Sequence, residues 1–153
     1  MRPILVLICL MILSTACNKN EVTKLEHYKP TPTFSTENNK MIGIEGKVGI
    51  LDTKFNSNET FKVLWHLWGE PSIITGAFRL EGTHIESNEK TPILLVDMSA
   101  EKKTWEYNKE FTQGNLGAVK TMPSYVRFDK SGLWKINVYL GKSPFAEFII
   151  DVE

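Results

Sequence analysis

From Met41 onward, apolar side chains recur at every second position, which constrains the chain more than any other feature. Ile42, Ile44, Val48 and Ile50 fall on one face, with Glu45 and Lys47 on the other. Phe61, Val63, Trp65 and Leu67 alternate with Lys62 and His66, and Trp134, Ile136, Val138 and Leu140 alternate with Lys135, Asn137 and Tyr139. Period two is the signature of half-buried antiparallel strands. The runs 73–80, 93–98, 116–119, 125–128 and 146–152 read as further strands. Between them stand Asn56 to Glu59, Gly69 to Ser72, Asp129 to Gly132 and Gly141 to Pro144, all suited to tight turns. No segment carries a helical stripe over 11 residues. The best candidate, Ser99 to Asn108, contains Lys103 to Tyr107, which alternates as a strand. Seven or more short strands with regular turns imply an all-β sandwich.

The N-terminus reads differently. Ile4 to Leu13 is an unbroken apolar run leading into Ser14-Thr15-Ala16-Cys17. It is too short to span a bilayer, which takes roughly 20 apolar residues, and a short apolar core followed by small residues is an export signal. Cys17 after small residues resembles the lipobox of bacterial lipoproteins. That resemblance implies cleavage after Ala16, diacylglycerol on the Cys17 thiol, and a protein held on the extracytoplasmic face of the cell membrane. Two departures stand: Ser14 occupies the position where the family has Leu, and Arg2 is the sole charge of the n-region. The alternative is conventional cleavage after Ala16 and a secreted protein with a free thiol, a liability in an oxidising compartment.

Removing residues 1–16 leaves 137, one domain's worth. The mature chain carries 17 basic and 18 acidic residues. That balance argues against nucleic acid as a partner, which needs a basic excess. Cys9 lies in the discarded segment and Cys17 is the anchor, so no disulfide is expected and apolar packing must hold the fold. Residues 18–40 are polar and punctuated by Pro30 and Pro32. They read as a flexible tether after the lipidated residue, which places the β-sandwich domain at 41–153. His27, Tyr28 and Phe34 leave room for a first strand within that stretch.

Pro123 to Phe128, Ser131 to Ile136 and Phe145 to Ile150 look like the last three strands of an immunoglobulin-like bacterial domain, in which Gly-Leu-Trp (Gly132 to Trp134) opens a strand and the aromatic plugs one end. Lipobox, polar tether and this ending together resemble small Bacillus-type lipoproteins carrying a domain of unknown function. The resemblance implies a fold and a location and supplies no activity.

Motifs for chemistry are poor. His27, His66 and His84 have no metal-ligand spacing. Asn56 to Glu59 with Asp52 lacks the spaced acids of a calcium loop. Ser87 to Lys90 and Ser99 to Lys102 both fit Ser-x-x-Lys, but the companion motifs of β-lactamases do not occur. Gly141-Lys142-Ser143 lacks the first glycine of a P-loop, where Ile136 stands. No cofactor, metal or catalytic set is therefore expected, and the chain reads as a binding module for an envelope protein or glycan. The candidate binding residues are His66 and Trp68, opposite the apolar face of their strand, and Trp105 and Tyr107, two apart on theirs. Exposed aromatics offer apolar area with a polar tip. Wall-glycan binding would use these four. A protease-inhibitor reading would use apolar loop tips such as Gly114 to Gly117. An envelope enzyme fits least.

Overall fold

The structure, a computed structural model, describes residues 27–153. The segment expected to be a signal peptide, and Cys17, lie outside the described residues. Thirteen strands form two antiparallel sheets, and among the described residues there is no helix. The strands are β1 (Phe34–Thr36), β2 (Asn39–Ile44), β3 (Val48–Leu51), β4 (Thr60–Leu67), β5 (Phe78–His84), β6 (Glu89–Thr91), β7 (Leu94–Leu95), β8 (Lys103–Thr104), β9 (Glu106–Tyr107), β10 (Thr112–Gln113), β11 (Lys120–Arg127), β12 (Gly132–Leu140) and β13 (Ser143–Val152). The first sheet runs β1-β2-β3-β4-β11-β7-β8, with β10 also on β11; the second runs β13-β12-β5-β6, with β9 also on β5. This is the expected all-β, immunoglobulin-like sandwich.

The alternation places the core as expected. Val63, Trp65 and Leu67 of β4 face Trp134, Ile136, Val138 and Leu140 of β12 and Phe148, Ile150 and Val152 of β13 across a single buried cluster. Trp65 satisfies its indole by donating from Nε1 to Ser124 Oγ at 2.9 Å, so its apolar area is buried without an orphaned donor.

Four expectations change. The sheet begins at Phe34, inside the stretch read as tether: β1 pairs with β2 in the register Phe34–Met41, and Thr31 exchanges hydrogen bonds with the Ile149 backbone. The turn joining β1 to β2 has positive φ at both Glu37 (44°) and Asn38 (66°), the geometry whose twist matches a two-residue hairpin. The run 73–80 becomes a strand only at Phe78, because Pro71 and a left-handed Gly76 keep the preceding residues in turns. Leu116 (φ 48°) and Gly117 (φ 76°) make 116–119 a turn, with the strand starting at Lys120. In 93–98 only Leu94 and Leu95 join a ladder, leaving Val96 and Met98 exposed.

Candidate ligand-binding face

The four aromatic candidates do not come together. His66 does point away from the main core, but it is 1% exposed. Its ring stacks on Trp68 with centroids 6.1 Å apart and planes at 25°. Phe34 then closes over Trp68 edge-on at 5.9 Å. Phe34 can lie there because Gly49, the register partner of His66, has no side chain; a Cβ on Gly49 would stand 2.8 Å from Phe34 Cζ. Thr36 Oγ1 fastens the same hairpin to the Leu116 carbonyl at 3.0 Å. Both His66 ring nitrogens lack a hydrogen-bond partner among the described residues. His66 and half-buried Trp68 thus form a second packing layer under β1.

Tyr107 is also buried, with its hydroxyl donating to the Leu95 carbonyl. Burial pushes that phenol up from its ordinary value of 10. The run Lys103 to Tyr107 does not form one strand. β8 pairs with β7 in the first sheet, and β9 pairs with β5 in the second. The chain switches sheets at Trp105, so residues two apart lose their common face. Tyr107 turns to the core beside Phe78, while Trp105 stays 36% exposed.

Trp105 is the candidate left on a surface, and it has neighbours that the alternation alone did not identify. The Arg79 guanidinium lies 5.4 Å from the Trp105 ring centroid and 5.6 Å from that of Tyr139. Arg79 and Tyr139 are register partners on β5 and β12, as are Glu81 and Asn137 in the next row. Arg79 Nη2 donates to Glu81 Oε1 at 3.0 Å. Lys90 Nζ sits 2.8 Å from Oε2, a charge contact without the alignment of a hydrogen bond. The Glu81 side chain is only 7% exposed. Burial pushes its carboxyl up, but the contacts and charges of Lys90 and Arg79 outweigh that, leaving it below the usual carboxylate range. Burial, then the Glu81 charge, raises the Tyr139 phenol. The outer face of the second sheet therefore presents a flat indole, a guanidinium fixed by a buried carboxylate, a phenol and an amide. These groups can stack on a ring and hydrogen-bond to its edge. A signal for this face existed in the sequence as the outward set Arg79, Glu81, Asn137 and Tyr139; their convergence on Trp105 depends on the sheet switch.

Other motifs occupy structural roles. His84 places Nδ1 2.8 Å from Ser87 Oγ and Nε2 2.9 Å from the Ser131 carbonyl. Among the described residues, no three His, Cys, Asp or Glu side chains converge as a metal-holding group.

The family model described as a domain of unknown function (DUF4871) matches residues 19–150. No curated protein matches the chain. Among solved structures, the X-ray structure of a Bacillus anthracis protein described as a candidate lipoprotein is similar, with a TM-score of 0.71 and 24% identity. The similarity covers 94% of this chain and 99% of that one. At this identity the likeness shows a shared fold.

Proposed function

The chain belongs to the DUF4871 family, a domain of unknown function, and from that premise we propose that it is a membrane-anchored extracytoplasmic lipoprotein whose sandwich binds a partner and catalyses nothing. The observation that carries the anchor is the apolar run Ile4 to Leu13 ending at Ala16-Cys17. The lipoprotein description of the similar Bacillus anthracis protein supports it. Cys17→Ala should abolish lipid labelling and move the protein from the membrane fraction to precursor or medium, and globomycin should make the precursor accumulate. Wild-type protein found only in the medium with an intact thiol would refute the anchor.

A wall glycan is the ligand favoured by one observation, the placement of Trp105 beside fixed polar groups on the second sheet. Arg79 and Lys90 share the single carboxylate of Glu81, which holds the guanidinium in place beside the Trp105 ring, an arrangement suited to stacking on a polyhydroxylated ring and hydrogen-bonding to its edge. The inhibitor reading has less support, because the Leu116 turn is pinned to β1 rather than free. The site set for glycan binding therefore becomes Trp105, Arg79, Tyr139 and Asn137, in place of His66, Trp68 and Tyr107. Trp105→Ala should weaken sedimentation with purified wall about tenfold, as loss of a stacking aromatic would, without shifting the melting curve. Trp68→Ala should do the reverse, melting early while the folded fraction still binds. If Trp105→Ala binds wall as the wild type does, this face is not the site.

A further inference from the structure

β3 and β4 part company after two residue pairs. Val48 pairs with Leu67 and Gly49 with His66, and there the ladder stops. Beyond Leu51 the chain crosses to the other sheet, where Phe55 bridges Val152 of β13. A cleft of about 440 Å³ opens between the strands, lined by Ile50, Leu51, Phe55, Val63, Leu64 and Pro123 among others. Leu51 and Leu64 are 46% and 37% exposed on its two sides.

The cleft is bounded by main chain as well as by apolar side chains. Trp68 N–H donates to Lys47 O, toward β3, while Leu67 O accepts from Val119 N on the other side. Alternation then directs the N–H and C=O of Lys62 and Leu64 toward β3. Asp52 N–H donates to Lys40 O, toward β2, so the same alternation directs the Leu51 peptide groups toward β4. None of Lys62, Leu64 and Leu51 has a ladder partner on the cleft side. Lys62, the charged residue on the cleft wall, forms no ion pair among the described residues.

We infer that this cleft receives an extended peptide from a partner protein as an added strand. An acyl chain could fill the apolar volume but could not satisfy donors and acceptors on facing walls. An extended peptide does both, since strand addition supplies main-chain hydrogen bonds and alternate side-chain positions give specificity. Its inward residues would meet Ile50, Val63 and Phe55, and its outward ones Leu51 and Leu64. The lone cation Lys62 calls for a carboxylate on the peptide. An open strand edge flanked by apolar side chains is otherwise a template for uncontrolled pairing.

The test uses the chain from residue 17 carrying Cys17→Ser. A displayed heptapeptide library is panned on it, and enriched peptides are synthesised with and without N-methylation at alternate amides. The expected peptides alternate apolar and polar residues and include an acid. They should slow amide exchange at Leu64 and Lys62, and should weaken about tenfold on N-methylation and on Lys62→Glu, a change at an exposed position that spares the fold. Three results would overturn the inference: no peptide enriched above a protein-free control, enriched peptides that leave those amides unchanged, or equal protection by lauric acid together with indifference to N-methylation.

Discussion

Replacing Trp134 by alanine is expected to destabilise the domain by about 3–5 kcal/mol, the range for deleting a large buried aromatic. Trp134 is 1% exposed. It packs against Phe128 at 5.4 Å and His84 at 5.2 Å between ring centroids, and its Nε1 donates to the Lys130 carbonyl at 2.9 Å. Gly82 lies directly beneath it, where a Cβ would stand 3.1 Å from the ring. The neighbourhood is thus shaped around the indole, and truncation leaves a cavity that a glycine cannot fill by rotating a side chain. Urea denaturation read by far-UV circular dichroism measures the loss. A change below about 1 kcal/mol, typical of surface positions, would show that Trp134 does not plug the sandwich.

The second large effect concerns where the folded domain starts. Removing residues 17–29 should cost less than about 1 kcal/mol, because that stretch is predominantly polar in sequence and offers little apolar side chain to bury. Removing residues 17–37 should cost about 3 kcal/mol. That estimate assigns roughly 1.5–3 kcal/mol to each well-buried apolar side chain. The longer deletion takes Phe34 off Trp68 and Gly49, uncovers Met41, which is fully buried, and breaks the bonds from Thr36 to Leu116 and from Thr31 to Ile149. Near-ultraviolet circular dichroism of Trp68 and the denaturation midpoint would report the difference. Equal midpoints for the two deletions would return β1 to the tether.

These predictions mark how far residue patterns reach. Alternation in β4, β12 and β13 identified the inward residues, because the strand period places side chains on opposite faces whatever their partners are. Turn chemistry located Asn56 to Glu59 and Gly141 to Pro144 for the same local reason. The hairpin at Glu37 and Asn38 left a weaker trace, an Asn beside one apolar Phe in a polar stretch. Alternation also sent His66 and Trp68 outward correctly but carried no information on what lies beyond that face. Their cover comes from Phe34, over thirty residues away, and depends on a glycine in a neighbouring strand.

Trp105 and Tyr107 fail by a different mechanism. Two residues apart in one strand must share a face, and nothing between Lys103 and Tyr107 signals that the strand breaks between sheets. The break is made by pairing, since Lys103 and Thr104 find β7 while Glu106 and Tyr107 find β5. The sequence by itself determined the all-β class and the main inward faces, because each is written in local spacing, and the contiguous run ending at Ala16-Cys17 carries the expectation of export in the same local way. Only the tertiary structure decided which outward aromatics meet solvent, that Arg79 and Tyr139 gather at Trp105, and that β3 and β4 separate, because each depends on contacts between segments distant in the chain.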